Sequence, residues 1–494
     1  MSADDEVNDD LPEGWAISTL KEITRRQKGK KPTGLQDHKS EGLVPYLDIK
    51  AFELRTFRKY APPKDSVLVK GGTPLVVWDG ARSGLSGFAP CNGALGSTLS
   101  AVTSDVLDSG LLHYFLAFVY GTLNGQTRGT GIPHVDPNVF DEIVTPLPPL
   151  AEQRRIVAKV EALLARVQTA RQRLARVPQI LKRFRQAVLT AACDGRLTAE
   201  WREKFGAGKD LLTEVESLTN RRKIDWEQFV MTRYKPPDEF DPASDLEPPD
   251  GWAAVSMDSL TSLITSGSRA WSKYYGSGTG TFIMAQNVRP YKLDLSTRQQ
   301  VDPPENNRDR VRSQVRKGDL LVTIVGANTG HVCPIDEDLP EHYVCQSVAI
   351  MRPVEPRHAP YLNLYLNSES HGRGEYKRYT YGEGRPHLGF DQIRVTKILL
   401  PTLCEQREIV RRVDALFKLA DAIERRVVVA TARADKLTQA ILAKAFHGEL
   451  VPTEAELARQ EGREYETAAE LLARIQTQRA NAPEAKTKRK KARA

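Results

Sequence analysis

Residues 149–157 read Pro-Leu-Ala-Glu-Gln-Arg-Arg-Ile-Val, and residues 402–410 read Thr-Leu-Cys-Glu-Gln-Arg-Glu-Ile-Val. The offset between the two stretches is 253 residues, and it continues without a gap as far as Leu197 and Leu450. Upstream, residues 131–134 read Gly-Ile-Pro-His and residues 384–387 read Gly-Arg-Pro-His, again 253 residues apart. A match of this length is not expected by chance, and it predicts a structural frame that the chain contains twice.

The other ends of the two copies match at smaller offsets. Residues 11–15 correspond to 248–252, 237 residues later, and both end in Gly-Trp. Residues 76–84 correspond to 322–330, 246 residues later, and both contain Gly-Ala followed by a polar residue. Between these anchors the copies diverge strongly. The sequence therefore predicts one scaffold that carries two different surfaces.

The segments that share the 253-residue offset are predicted to be long helices. Their apolar residues recur in alternating steps of four and three, which is typical of a coiled-coil seam. An ordinary amphipathic helix on its own domain is the alternative interpretation, and Pro178 is expected to kink the first helix. The principal predicted seam residues are Ile156, Val160, Leu163, Val167, Leu174, Leu181, Ile409, Val413, Leu416, Ile423, Val427, Leu437 and Ile441.

The segments between the helices contain short β-rich runs, Gly-containing turns and one helical stretch each. The predicted fold class is α+β: two α+β domains separated by two long helices that pack as an antiparallel coiled coil, with pseudo-two-fold symmetry. The predicted boundaries are a first variable domain at 1–148, a central helical region at 149–197, a connector at 198–247, a second variable domain at 248–400, a C-terminal helical region at 401–455, and a C-terminal helix with a basic disordered tail at 456–494.

The charge composition of the chain indicates which kind of molecule it binds. The chain has 494 residues, a formal net charge of +8 and a pI of about 9.1, which favours a polyanion such as nucleic acid. Five scattered cysteines predict neither a disulfide framework nor a zinc site. The acidic N-terminus and the lack of a long apolar run predict a soluble, cytoplasmic protein without a membrane segment.

No constellation of catalytic residues is recognisable in the sequence. The GxxxxGK[ST] phosphate loop is missing, and the glycine-rich residues 276–280 do not lie between a strand and a helix as a dinucleotide site requires. Asp302-Pro303-Pro304-Glu305 has Glu where an adenine methyltransferase has an aromatic residue. The sequence therefore predicts no catalytic residue, no metal site and no cofactor bound by this chain.

Polar residues in the matched loops are the predicted DNA contacts, since Arg pairs with guanine and Asn with adenine in the major groove. A purely structural role, glycine turns with polar tips, is the alternative. On the first long helix, residues 151–190 carry ten basic and two acidic residues, which gives a further positive surface or simply a solvated face. The predicted DNA-contacting residues are Lys50, Arg82, Ser83, Arg128, His134, Asn287, Arg289, Asn328, Thr329, Arg385 and His387.

The duplicated pattern resembles the specificity subunits of type I restriction-modification enzymes over nearly the whole chain. The motifs that carry the resemblance are residues 147–157 with their repeat, 11–15 with 248–252, and 187–197 with 440–450. The resemblance implies that the variable domains are target-recognition domains that read the two halves of a bipartite site in double-stranded DNA. It implies that the helices set the spacer and hold two methyltransferase subunits, which use S-adenosylmethionine. It also implies restriction subunits that use ATP and Mg²⁺.

Two other classes of function remain as alternatives. A stand-alone enzyme acting on nucleic acid would need a nucleotide-binding turn and an intact methyltransferase motif. A coiled-coil scaffold whose variable domains bind proteins or sugars would have no salt-dependent affinity for duplex DNA. A DNA-reading subunit without a catalytic site is the function that the sequence predicts.

Overall fold

A computed structural model describes residues 11–481 except 130, 207–210, 230–233, 268–270, 272–273, 304, 306–307 and 383. The predicted basic tail therefore lies outside the described residues. The chain divides into two compact units: unit 1 comprises residues 1–175 and 428–494, and unit 2 comprises residues 176–427. Each unit contains one variable domain and one part of each long helix.

Unit 1 begins with short strands and helices that end where the first long helix starts. These elements are β1 (Ala16–Thr19), α1 (Leu20–Ile23), β2 (Thr24–Lys28), β3 (Val44–Leu47), α2 (Ile49–Leu54), β4 (Tyr60–Ala61), β5 (Leu68–Val69), β6 (Pro74–Val77), β7 (Ser86–Phe88), β8 (Gly93–Leu95), β9 (Leu99–Ser104), α3 (Ser109–Phe118), α4 (Tyr120–Gly125), β10 (Thr127–Arg128), β11 (His134–Val135), α5 (Pro137–Glu142) and β12 (Val144–Leu147).

The long helix α6 (Leu150–Cys193) and two connector helices, α7 (Ala199–Phe205) and α8 (Leu211–Phe229), follow. The second variable domain then consists of β13 (Ala253–Ser256), α9 (Met257–Leu260), β14 (Thr261–Ser266), β15 (Tyr275–Ile283), β16 (Val288–Arg289), β17 (Lys292–Leu293), β18 (Gln299–Val301), α10 (Arg308–Ser313), β19 (Leu320–Thr323), β20 (Val332–Pro334), β21 (His342–Val344), β22 (Val348–Pro353), α11 (Ala359–Leu366), α12 (Gly372–Tyr379), α13 (Phe390–Arg394) and β23 (Lys397–Leu400). The chain continues with α14 (Leu403–Phe446), α15 (Glu454–Glu461) and α16 (Ala468–Asn481).

The main sheets of the two variable domains have the same strand order. The main sheet of unit 1 has the strand order β2-β9-β6-β7, and that of unit 2 has the order β14-β22-β19-β20. In each unit the first strand of the domain pairs antiparallel with the last, β1 with β12 and β13 with β23. A parallel pair recurs as well, β3 with β8 and β15 with β21. Apolar runs in the central strands, Leu-Val-Val in β6 and Leu-Leu-Val in β19, account for their burial on both faces.

The two long helices run antiparallel inside each unit. In unit 1, Arg171 of α6 contacts the Ala434 carbonyl at 3.1 Å and Thr438 at 3.2 Å, whereas Arg155 reaches Glu454 beyond the end of α14. In unit 2, Arg185 of α6 pairs with Asp421 at 2.6 Å, and Arg412, nearer the start of α14, donates to the Leu197 carbonyl beyond the end of α6 at 2.8 Å. Rising residue numbers on one helix therefore meet falling numbers on the other.

Most of the predicted seam residues are buried or half-buried, and Ile156, Val160, Ile409 and Val413 are completely enclosed. Leu437 is a correction, because it is 49% exposed. In this part of α14 the inward face consists of Ala434, Thr438 and Ile441. Arg171 donates to the Ala434 carbonyl and to the Thr438 hydroxyl. A side chain one position before Thr438 points away from that face.

Helix α6 continues through Pro178 without a break. A proline has no N–H group and so removes one i→i−4 hydrogen bond, here the bond to the Leu174 carbonyl. The loss of one such bond need not end a helix that tertiary contacts stabilise. Pro178 is itself exposed, so the carbonyl on that face has access to water. Pro178 therefore lies within a continuous helix.

The start of each long helix is fastened to its variable domain by the same side chains. Trp15 donates a hydrogen bond to Glu152 at 2.9 Å, and Trp252 donates one to Glu405 at 3.0 Å. The glutamine that follows each glutamate satisfies backbone groups of the domain: Gln153 bonds the Val106 and Pro148 carbonyls. The repeated Glu-Gln pair is thus the structural joint between helix and domain.

The duplication extends to the short helices that follow each long helix, which the sequence comparison had not matched. Helices α7 and α8 follow α6, and α15 and α16 follow α14. At an offset of 257 residues, buried Leu218 of α8 corresponds to buried Ile475 of α16, and Arg222 corresponds to Arg479. Both arginines donate to a backbone carbonyl within the first short helix of their own domain: Arg222 to Asp258 and Arg479 to Glu22.

Among the described residues, no helix is long and apolar enough to cross a membrane. Within the same part of the chain, no group of three or more His, Cys, Asp or Glu side chains is arranged to hold a metal ion.

Candidate nucleic-acid interface

Two loops that are distant in sequence meet in unit 1. The first loop, 79–84, follows β6, and the second, described at residues 129 and 131–133, lies between β10 and β11. The Gly80 amide donates to the Pro133 carbonyl at 2.8 Å, and Asp79 pairs with His134 as an isolated β-bridge. We call these two loops, together with His134 and Lys28, the first loop surface. The first loop surface brings together residues of two separate loops that the sequence analysis predicted as DNA contacts.

The carboxylate of Asp79 organises this surface. It lies 2.7 Å from Nδ1 of His134 and 2.9 Å from Nζ of Lys28, which belongs to β2. One carboxylate between a lysine ammonium and an imidazole orients both side chains. The sequence comparison did not single out Lys28, because it lies in a part of the chain where the two copies diverge.

Unit 2 builds the same loop pair. The Gly326 amide donates to the Pro386 carbonyl at 3.0 Å, and Val325 pairs with His387 as the corresponding β-bridge. We call residues 325–330, 382 and 384–387, together with Tyr381, the second loop surface. Val325 stands where unit 1 has Asp79, so the carboxylate is missing here, and His387 stacks instead on Tyr381 with ring centroids 5.8 Å apart.

A glycine is required at the end of the first loop in both units. Gly84 has φ +90° and Gly330 has φ +79°, a region that favours glycine. A Cβ atom on Gly84 would also lie 2.7 Å from Cβ of Leu123 in α4. The shared glycines therefore hold the backbone of the loop, while the positions between them are free to differ.

The charged residues predicted from the sequence mostly lie at the surface. Arg82 is 58% exposed and pairs with Glu53 at 2.6 Å, on the same short helix α2 as exposed Lys50. Arg128 is exposed and pairs with Asp136. In unit 2, Arg289 and Arg385 are exposed. Half-buried positions are occupied by Asn328, His134 and His387.

Three predicted contact residues are corrected by the structure because their side chains are buried. Ser83 is fully enclosed, and its carbonyl accepts from Asn124 at 2.8 Å. The Thr329 hydroxyl donates to the carbonyls of Gly326 and Pro386. Asn287 accepts from the Met284 amide at 2.9 Å and donates to two further carbonyls. The Thr329 and Asn287 side chains stabilise their loops through these bonds, and none of the three buried side chains is available to a ligand.

Two exposed residues at the loop tips were not predicted. Ile132 is 62% exposed and Tyr381 is 58% exposed. The 253-residue offset aligns Ile132 with Arg385 and Arg128 with Tyr381, so a comparison of the two copies position by position identifies them. The tips of the two surfaces thus present different chemistry: arginine and isoleucine in unit 1, tyrosine and arginine in unit 2.

His331 directly follows the second loop surface. Burial lowers the pKa of His331, and the neighbouring cations Arg373 and Arg289 lower it further. The exposed side chain of Arg289 places one of these positive charges at the surface of unit 2, where it can attract the phosphates of a nucleic acid.

Comparison with known proteins supports one family. A sequence model of the type I restriction modification DNA specificity domain matches residues 12–179 and 311–428. The specificity subunit of the type I restriction enzyme EcoBI from Escherichia coli is 32% identical over 399 residues, which are 79% of this chain and 76% of that protein. The EcoKI specificity subunit from Escherichia coli K12 is 28% identical and covers 97% of this chain and 99% of its own length. These relatives are named as specificity subunits, the class predicted from the sequence.

Two solved structures share the fold. The HsdS subunit from Thermoanaerobacter tengcongensis superposes with a TM-score of 0.55 at 23% identity and covers 90% of this chain and 99% of its own. A chain from a study of the assembly and conformational transition of the type I R-M system gives a TM-score of 0.60 at 22% identity, covering 89% and 99%. The predicted α+β fold with two long helices is confirmed.

Proposed function

The chain belongs to the family of type I restriction-modification specificity subunits, and on this premise we propose that it reads two unlike half-sites in double-stranded DNA. The first loop surface reads one half-site and the second loop surface reads the other. One observation carries the proposal. The same loop pair, tied by the same bond from Gly80 to Pro133 and from Gly326 to Pro386, carries different side chains at its tips.

The chemistry of the tips supports unlike targets. Arg82 in unit 1 is replaced by Asn328 in unit 2, and these residue types favour guanine and adenine respectively. Exposed Arg128 corresponds to Tyr381, and exposed Ile132 to Arg385. Isoleucine offers apolar contact, as to a thymine methyl, where arginine offers a bidentate donor. A half-site read by one surface would therefore be read poorly by the other.

The long helices would set the spacing between the half-sites. Each has 44 residues, which corresponds to about 66 Å at about 1.5 Å per residue. This is roughly two turns of B-DNA at about 34 Å each. The pseudo-two-fold arrangement of the recognition domains belongs to this proposal, as do their boundaries at 1–148 and 248–400 and the connector at 198–247.

The partners follow from the same premise. Two methyltransferase subunits would dock on the helical regions and supply S-adenosylmethionine, and restriction subunits would bring ATP and Mg²⁺. The assembly would act on DNA in the cytoplasm. This chain would contribute recognition and positioning, and the partner subunits would perform the chemistry.

Mapping methylated adenines tests the proposal. Genomic DNA from cells that express this chain with its methyltransferase subunits is sequenced for modified bases. The expected result is one asymmetric motif that consists of two short, dissimilar half-site sequences separated by a fixed gap of unread base pairs. A continuous motif, or two identical words in inverted orientation, would contradict it.

A further inference from the structure

Each loop surface holds one histidine at the same position of the repeated frame. His134 and His387 are 253 residues apart, and each ring lies over a glycine of its own loop. A Cβ atom on Gly129 would lie 3.2 Å from Cδ2 of His134, and one on Gly382 would lie 3.7 Å from Cδ2 of His387. The two units therefore present the same imidazole on the same kind of support.

The two imidazoles differ in their neighbours. Oδ1 of Asp79 lies 2.7 Å from Nδ1 of His134. Unit 2 has Val325 at the corresponding position, and a valine side chain cannot accept a hydrogen bond. His387 stacks instead on Tyr381, with the two rings inclined by 21°. A carboxylate thus holds the ring in unit 1, whereas an aromatic side chain holds it in unit 2.

Lys28 offsets the charge of the same carboxylate. Its Nζ lies 2.9 Å from Oδ2 of Asp79. Because the ammonium and the carboxylate together carry no net charge, the pair does not call for a second cation at His134. The strand registers make Ser266 the counterpart of Lys28 in unit 2. The arrangement of lysine, aspartate and histidine is therefore a property of unit 1.

The carboxylate determines where the imidazole carries its proton. An ionised carboxylate can only accept, so the bond to Asp79 requires a proton on Nδ1 of His134. An imidazole is mostly uncharged at neutral pH, and with its one proton on Nδ1 it presents Nε2 as an acceptor. Among the described residues, Nε2 of His134 makes no hydrogen bond. This nitrogen is therefore an acceptor that a ligand can use.

Exposure separates the residue that contacts a ligand from the residue that positions it. The side chain of His134 is 45% exposed, and that of Asp79 is 16% exposed. Asp79 therefore acts through His134. In the major groove, an acceptor pairs with the amino group of adenine N6 or cytosine N4, whereas guanine and thymine present acceptors there.

We propose that Asp79 is a positioning residue that makes His134 specific for a base with an exocyclic amino group, adenine or cytosine, at one position of the first half-site. This inference rests on the proposed function, and it names the chemical group that the first loop surface selects. Unit 2 has Val325 in place of the carboxylate, so its histidine is not restricted in this way.

The test measures base preference in the complex with the methyltransferase subunits. Affinity is determined for duplexes that carry each of the four base pairs at every position of the first half-site, the one that responds to Arg82→Ala. The unaltered protein should prefer adenine or cytosine over guanine at one position. In Asp79→Asn the new amide can donate to Nδ1 of His134 and leave the proton on Nε2, which then favours N7 or O6 of guanine. The preference at that position should therefore fall by about tenfold.

Asp141→Asn is the matched control. It removes the carboxylate that pairs at 3.2 Å with Arg26, which lies in the same strand β2 as Lys28. This variant should leave the preference at every position unchanged. A similar fall in Asp141→Asn and Asp79→Asn would overturn the inference, because the effect would then be that of losing any carboxylate near β2.

His134→Ala separates positioning from support of the fold. It should abolish the preference at the same position, and Asp79→Asn should cause no further change in the His134→Ala background. If Asp79 only supported the fold, Asp79→Asn would weaken binding to all duplexes equally and keep the preference, which would overturn the inference. An undiminished preference in His134→Ala would overturn it as well, whether or not Asp79→Asn folds, and so would a first half-site without a preference for adenine or cytosine. Failure of the proposed function is distinguishable, because it would appear as a continuous methylated motif in the unaltered protein.

Discussion

Trp15 and Glu152 are 137 residues apart in sequence, yet the indole Nε1 of Trp15 donates to Oε1 of Glu152 at 2.9 Å in the buried joint between the first domain and its long helix. The corresponding pair in unit 2, Trp252 and Glu405, makes the same bond at 3.0 Å. Burial raises the pKa of Glu152, and hydrogen bonds from the Glu454 amide and Trp15 oppose the rise. Two repeated motifs that look independent in the sequence are therefore two sides of one joint.

Replacing Glu405 with Ala should destabilise unit 2. The Glu405 carboxylate is 3% exposed and accepts from Trp252, Thr198 and Arg202, the last at 2.6 Å. Its removal leaves the partly buried Arg202 guanidinium without its only carboxylate partner among the described residues, which costs about 3 kcal/mol or more. Urea unfolding of the purified chain measures the change. Glu424→Ala, which removes a half-exposed partner of Arg185, is the control and should cost less than about 1 kcal/mol. Equal losses in the two variants would show that the joint has no special role.

Arg82→Ala should weaken recognition at one half-site and leave the other unchanged. Arg82 is exposed on the first loop surface, and its partner Glu53 belongs to the same unit. Loss of a bidentate contact to guanine costs about 1–3 kcal/mol at that position. The measurement is the affinity of the complex for duplexes altered in one half-site at a time. A loss shared by both half-sites would contradict the division of reading between the units.

Asn287→Ala should reduce stability without changing the methylated sequence. The buried Asn287 side chain satisfies the Met284 amide and the Asp294 and Thr297 carbonyls. Leaving such groups unpaired costs about 1–3 kcal/mol. Thermal unfolding and methylation mapping are carried out on this variant and on Arg289→Ala. Because the Arg289 side chain is exposed, Arg289→Ala should change the methylated sequence and leave the stability unchanged. A changed motif with unchanged stability in Asn287→Ala would restore Asn287 as a contact residue.

Deleting one heptad from each long helix should shorten the unread gap. The deletions are placed near residue 175 of α6 and residue 428 of α14, where the chain passes from one unit to the other. Seven residues correspond to about 10.5 Å of helix, or about three base pairs at about 3.4 Å each. Methylation mapping gives the new gap. Two unaltered words with an unaltered gap would mean that the helices do not set the spacing.

The repeats made the architecture predictable, because a shared offset identifies the same element in both copies without any knowledge of contacts. The loop surfaces were predictable as groups for the same reason. Individual side chains were not: Ser83, Thr329 and Asn287 have the residue types of DNA contacts, and only their burial assigns them to the loop interior. Leu437 fits the heptad pattern, but Thr438 takes the inward position beside Arg171. The repeat of α7–α8 as α15–α16 escaped detection because the two helix pairs keep their packing with few identical residues.

Exchanging residues 11–148 for the first domain of another member of the family tests the central claim most directly. The account predicts that methylation mapping will detect one new word, one unchanged word and the original gap. The Trp15–Glu152 joint is retained by choosing a donor domain that contains the same Gly-Trp pair. A change in both words, or no change in either, would contradict the claim that the two units read DNA separately.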